Sequence, residues 1–118
     1  MAWEINSDRP VYIQLMEEIE RRIISGVYKA GDKVPAVREL AVEAAVNPNT
    51  MQKALSELER NGLIFSHRTS GRFVTEDESL IKTIRAELSD RITAEYIDSM
   101  RKLGLSDEEI LQAVNNNK

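Results

Sequence analysis

Ala44-Ala45-Val46-Asn47-Pro48-Asn49-Thr50-Met51-Gln52-Lys53-Ala54-Leu55-Ser56-Glu57-Leu58 is the stretch from which the architecture follows. Asn47 is a good N-cap, and Pro48 suits a first helical position, where its missing N–H costs nothing. Met51, Ala54, Leu55 and Leu58 then recur at i, i+3, i+4 and i+7, which lays one apolar stripe along one face of a helix. Upstream, Pro35 opens a short helix with Val37, Leu40, Ala41 and Ala44 inward. Between the two helices, Ala45 to Pro48 leaves room only for a tight break. Asn61-Gly62 ends the second of them.

Working towards the N-terminus, Val27 to Val34 is a turn-rich link. Before it, Tyr12, Leu15, Met16, Ile19 and Ile23 have helical spacing. Ser7-Asp8-Arg9-Pro10 supplies capping side chains and a first-turn proline, and Gly26 is a stop, so this helix spans about residues 10–25. Glu17–Arg21 and Glu18–Arg22 are i,i+4 pairs on its outer face. Trp3 and Ile5 alternate with polar neighbours, as in a short strand or a packed arm.

Working towards the C-terminus, Leu63-Ile64-Phe65-Ser66 and Arg72-Phe73-Val74-Thr75 read as two strands. They flank the polar loop His67-Arg68-Thr69-Ser70-Gly71, giving a hairpin with a basic tip. The order is helix, helix, tight turn, helix, hairpin, which is a winged helix-turn-helix over residues 1–75. The rest, 76–118, is helical. Leu80, Ile84, Leu88, Ile92, Tyr96 and Met100 recur every four residues over a helix of about 78–102. At 1.5 Å per residue that helix is about 36 Å long, too long to bury its stripe on one small domain. Leu103-Gly104 stops it. Ser106 and Glu109 form a capping box for a last short helix with Ile110, Leu111 and Val114. The fold class is therefore mainly α with a small β-hairpin: a winged helix-turn-helix followed by a two-helix C-terminal dimerisation tail.

Composition excludes several functions. The 118 residues are 42% apolar and 31% charged, which suits a globular chain of one domain, or one small domain with an appended piece. With no cysteine and one histidine, His67, there is no thiolate zinc site, cysteine nucleophile or His-His metal site. No metal and no cofactor is expected. No nucleophile–base pair or glycine-rich phosphate loop is present, so an enzyme is not expected. No apolar run nears the ~20 residues of a membrane span, and the N-terminus lacks signal-peptide character, so the expected location is the cytoplasm with no membrane partner. The net charge of −4 lies wholly in residues 76–118; residues 1–75 are neutral, and 33–72 carry six basic against four acidic groups.

A helix-turn-helix lays its second helix in the major groove, with the N-terminal turn towards base edges. Here that turn carries Asn49, Thr50, Gln52 and Lys53, opposite the apolar stripe. Asn and Gln offer donor–acceptor pairs to adenine, and Lys donates to guanine or phosphate. The alternative is that Asn47 and Asn49 only cap and Lys53 is solvated. Arg38 suits a phosphate or a guanine, or else a surface ion pair with Glu39 or Glu43. Arg68 and Arg72 flank Thr69, Ser70 and Gly71 at a wing tip fit for a minor groove, or else for a solvated turn. Lys33 and Arg60 are weaker candidates. For Trp3 the reading is packing at a domain edge or dimer interface. For His67 it is hydrogen bonding or a phosphate contact.

The chain resembles the GntR family of bacterial regulators. The likeness rests on Pro10-x-Tyr12-x-Gln14-Leu15, on Ile24-x-Gly26-x-Tyr28-x-x-Gly31-x-x-Val34-Pro35-x-x-Arg38-Glu39-Leu40-Ala41, and on Asn47-Pro48-Asn49-Thr50-Met51-x-Lys53-Ala54-Leu55-x-x-Leu58. Gly62-Leu63-Ile64 and Gly71-x-Phe73-Val74 continue it to about residue 75. The Asn-Pro-Asn-Thr turn and the short tail resemble its YtrA subfamily. The resemblance implies DNA-contacting positions at Arg38, Asn47, Asn49, Thr50, Gln52, Arg68, Thr69 and Ser70, and a helical tail that makes a twofold homodimer. Three departures bear on the operator sequence: Pro35-Ala36 in place of Pro-Ser, Thr69-Ser70-Gly71 in place of a Gly-x-Gly wing, and Pro48 and Gln52 where some relatives carry arginine.

The expected function is a homodimeric regulator, a repressor of its own operon, binding a palindromic double-stranded operator. Transporter genes are a common family target. The expected dimer face is Leu80, Ile84, Leu88, Ile92, Tyr96, Met100, Ile110 and Val114. A fold-back of this stripe onto its own winged domain is the alternative. Whether a small-molecule effector exists is left open by the sequence; between the domain and tail, or across the dimer, are the places considered for one. The rival function is a winged-helix interaction module that has lost specific DNA binding, for which the neutral charge of residues 1–75 speaks.

Overall fold

Leu15, Ile19 and Ile23 recur every four residues and are buried along one side of α1 (Val11–Ile24). The computed structural model describes residues 3–118. In it α1 packs on α3 (Pro48–Arg60), and α2 (Val37–Ala44) packs on α3 as well. The core they share is aliphatic: Leu15, Ile19, Leu40, Met51, Leu55 and Leu58 are at most 1% exposed. These are the residues that helical spacing placed inward, because a stripe of this width is covered only when two neighbours straddle it.

The start of α1 differs from expectation. Pro10 is the N-cap and neither Ser7 nor Asp8 caps the helix. The buried Gln14 does the anchoring instead. Its Nε2 donates to the carbonyls of Asn6 and Arg9, both at 2.9 Å, and its Oε1 accepts from the Asn6 N–H at 3.0 Å. Residues 3–10 are an irregular arm rather than a strand, with Trp3 and Ile5 half-buried and the other residues exposed. The arm also reassigns an ion pair: Glu17 holds Arg9 through two 2.8 Å bonds, while Glu18 takes both Arg21 and Arg22.

Between α2 and α3, Ala45 adopts φ 60° and ψ 48°, and the Val46 N–H reaches back to the Ala41 carbonyl at 3.0 Å. That is a left-handed helix ending of the kind glycine usually provides. Asn47 then caps α3 through its side chain, with Pro48 in the first turn, as expected.

The wing is β1 (Ile64–His67) paired antiparallel with β2 (Gly71–Val74), in the register Ile64↔Val74, Phe65↔Phe73, Ser66↔Arg72 and His67↔Gly71. The strands are displaced by one residue from the expected ones, closing the loop. The α1–α2 link covers the other edge of β2: Val34 N–H donates to Arg72 O, and Val74 N–H to Asp32 O, both at 2.8 Å.

The described chain divides into two compact units after Lys82, inside α4 (Glu78–Lys102). Ile81, only 6% exposed, belongs to the winged unit, as does Leu80, beside Gly62. The second unit holds the rest of α4 and α5 (Asp107–Asn116). The α5 capping box forms as expected, with Ser106 N–H on Glu109 Oε1 at 2.9 Å and Glu109 N–H on Ser106 Oγ at 3.2 Å. Among the described residues no helix is long and apolar enough to cross a membrane.

Candidate nucleic-acid interface

Asn47 Oδ1 accepts the Asn49 N–H at 2.7 Å and squares off the first turn of α3. With Met51, Ala54, Leu55 and Leu58 buried, the opposite face carries Asn49, Gln52 and Lys53, all exposed, and half-buried Thr50. Gln52 makes only a 3.3 Å bond to Ser56 Oγ. Its amide is thus available to another donor–acceptor pair.

Arg38 is exposed in the first turn of α2. The ion pair with Glu43 considered for it does not form, because Glu43 holds Arg22 at 2.6 Å and the Trp3 indole N–H at 2.6 Å. Arg22 is the centre of this cluster. It lies 4.6 Å from the Trp3 ring centroid and also bonds Glu18 and the Tyr28 hydroxyl. Burial works against its charge, but hydrogen bonds to Glu43, Tyr28 and Glu18 outweigh that and raise its pKa. Hydrogen bonds from Arg22 and Trp3 hold the Glu43 carboxyl below its ordinary value. In the adjoining cleft, about 580 Å³, Glu18, Arg21, Arg22 and Glu43 are bonded to one another.

At the wing tip Arg68, Thr69, Ser70 and Gly71 are exposed, and Ser70 N–H closes the turn on His67 O at 3.1 Å. Gly71 has φ 99°, and a Cβ there would come within 3.2 Å of Lys33 Cε. The stem of Lys33 therefore lies against the wing. Arg72 differs from its expected place at the tip. Its Nε bonds Glu59 Oε1 at 3.1 Å, and the Ser66 hydroxyl shares that carboxylate. Both residues lie on the strand face turned towards α3, because Ser66 and Arg72 are register partners. His67 sits in a ring cluster instead, edge-on to Phe73 at 5.5 Å with Phe65 alongside. Arg60 pairs with Glu57. Lys53 Nζ lies 4.0 Å from the Tyr12 ring centroid. Among the described residues Arg38, Lys53 and Arg68 have no carboxylate partner.

In the second unit Ile110 is buried, and the Tyr96 hydroxyl lies 3.5 Å from its carbonyl. Ile92, Leu111 and Val114 are 55%, 68% and 43% exposed. With Tyr96 and Ile97 they border an apolar groove of about 700 Å³. Ile84, Leu88 and Met100 are half-buried.

Sequence reasoning gave Gln14 and Glu59 no structural role, read Tyr12 only as part of the apolar stripe of α1, and paired Arg22 only with Glu18. Tyr12 and Gln14 stood in the Pro10-x-Tyr12-x-Gln14 motif, which was the available signal. Glu59 carried none, and Arg22 only its i,i+4 spacing to Glu18, since their remaining partners lie on other elements.

A capped helix with a bare polar face, a tight turn before it and a basic wing beside it define a winged helix-turn-helix DNA-binding protein. Residues 11–74 match the bacterial regulatory proteins of the gntR family, and the chain belongs to that family, whose members are transcriptional regulators rather than enzymes. The HTH-type transcriptional regulator YhcF of Bacillus subtilis is 33% identical over 111 residues, covering 94% of this chain and 92% of that protein. The HTH-type transcriptional repressor YtrA of Bacillus subtilis is 42% identical over 71 residues, 60% of this chain but only 55% of YtrA. A GntR family transcriptional regulator from Listeria monocytogenes superposes with a TM-score of 0.89 at 37% identity, covering 95% and 98% of the two chains. The AraR DNA-binding domain, solved with its operator, superposes with a TM-score of 0.53 at 30% identity over 64% of this chain and 93% of that one.

Proposed function

We propose that this DNA-binding regulator is a homodimeric repressor that acts in the cytoplasm on a palindromic operator at its own operon. The observation that carries the reading is the two-faced α3: Met51, Ala54, Leu55 and Leu58 are buried, while Asn49, Gln52 and Lys53 stand in solvent. Packing does not account for two exposed amides on one helical turn, and base recognition does. Asn49, Thr50 and Gln52 read bases. Arg38 and Lys53 grip phosphate, and Arg68, with Thr69, Ser70 and Gly71, enters the minor groove. Asn47 fixes the reading turn, and Arg72 braces the wing.

Residues 1–75 serve as the DNA-binding part and 76–118 as the dimerisation tail. The exposed Ile92, Leu111 and Val114 support self-association, since water-facing apolar side chains grouped round one groove gain free energy by being covered. A twofold dimer relates two recognition helices by the same symmetry as a palindrome. The names of YtrA and of the arabinose metabolism repressor support repression as the sense of control.

Fluorescence anisotropy on the upstream intergenic DNA, against scrambled DNA over a salt series, tests the proposal. Specific binding by two protomers with a steep salt slope is expected. Equal binding to both DNAs, or none at low salt, overturns it in favour of an interaction module.

A further inference from the structure

The proposed reading surface makes no use of Tyr12, although Tyr12 touches it. Tyr12 lies in the first turn of α1, half-buried, and α1 packs on α3. Lys53 follows Gln52 on α3, and its ammonium sits 4.0 Å from the Tyr12 ring centroid. A ring face attracts a cation without neutralising it. A carboxylate in the same place would hold Lys53 too, but would cancel the charge that phosphate needs.

We infer that Tyr12 is a positioning residue for DNA binding: its ring holds the Lys53 ammonium, with no carboxylate beside it, at the flank of α3, as a fixed clamp for the phosphate backbone rather than a reader of bases. The inference rests on the DNA-binding reading above. A lysine loses much rotamer freedom when it binds, and a ring that already restrains it removes part of that cost.

The test is a double-mutant cycle in the full chain, read by anisotropy on upstream DNA, on single-base variants of it, and across salt. Tyr12→Leu is expected to weaken binding about two- to fivefold on all sequences alike, with the salt slope unchanged because Lys53 keeps its charge. Tyr12→Phe keeps the ring and restores the affinity. Lys53→Ala lowers the salt slope by about one, and adding Tyr12→Leu to it costs nothing further. Equal losses from Tyr12→Leu with and without Lys53, or an altered base preference in Lys53→Ala, overturn the inference alone. Wild-type protein that does not distinguish upstream from scrambled DNA overturns the DNA-binding reading, and this inference with it. A second measurement needs no DNA. Ring-current shifts of the Lys53 side-chain protons by NMR are expected in wild type and Tyr12→Phe, and their absence in wild type removes the contact.

Discussion

Glu59 on α3 and Arg72 on β2 are joined by a 3.1 Å bond from Nε to Oε1, both side chains being largely covered. The pair crosses from the recognition helix to the wing. It fixes the angle of the wing without adding a free cation. Glu59→Ala and Arg72→Ala are therefore expected to weaken specific DNA binding by similar amounts, with little added loss in the double variant. The salt slope stays near wild type in all three. Arg68→Ala, by contrast, lowers it by about one. A slope that falls in Arg72→Ala would return Arg72 to the phosphate-contacting set.

Gln52 is bonded only at 3.3 Å to Ser56. Gln52→Ala is expected to relax preference at one operator position in each half-site, by about 1–3 kcal/mol. Selection of bound sequences from a randomised pool reads this directly. An unchanged preference removes Gln52 from the bases.

The turn between α2 and α3 contains one strained and one helpful residue. Ala45 holds φ 60°, which glycine adopts without steric cost, so Ala45→Gly should stabilise the winged unit by about 0.5–1 kcal/mol. Asn47→Ala removes the cap and should destabilise it by about 1 kcal/mol. In thermal unfolding each kcal/mol corresponds to about 4–8 °C for a unit of this size.

In the tail, Ile110 and Leu111 separate folding from association. Ile110 is 4% exposed, so Ile110→Ala should cost about 2–5 kcal/mol and loosen the tail itself. Leu111 is 68% exposed, so Leu111→Asp should leave helicity unchanged in circular dichroism. In sedimentation equilibrium it should shift dimer to monomer. A Leu111→Asp dimer as tight as wild type excludes this groove as the interface.

Acid should release the arm. Glu43 and Glu18 both titrate below their ordinary value. In Glu43 the hydrogen bonds from Arg22 and Trp3 are the main cause. In Glu18 burial pushes up, and bonds from Arg21 and Arg22 prevail. A carboxylate lowered on folding adds stability above its unfolded pKa and loses it as pH falls through the folded one. Trp3 is the chain's single tryptophan, so its fluorescence reports the arm. A red shift is expected only below the ordinary glutamate value of 4.5. In Glu43→Gln the shift should already be partly present at neutral pH.

Much of the architecture and of the exposed first turn of α3 was legible in the residues. Helical spacing located α1, α2 and α3, Asn47-Pro48 marked the start of α3, and Ser106 with Glu109 the start of α5. The exposed faces of Asn49, Gln52 and Arg38 followed from the positions of their apolar neighbours. The misjudged details share a pattern. Ser7 and Asp8 looked like caps until Gln14 took over, Glu17 looked like the partner of Arg21 until the arm delivered Arg9, and Arg72 looked free until Glu59 claimed it.

The sequence by itself established helix order, turn position and the amphipathic faces, because caps, prolines and apolar periodicity act between residues a few positions apart. Tertiary packing alone settled who pairs with whom: Tyr12 with Lys53, Glu59 with Arg72, and Trp3 and Arg22 with Glu43. Those contacts join different elements. Charge and ring chemistry make each of them favourable, but so would many other partners, and only the packing of α1, α2 and the wing around α3 selects the ones within reach.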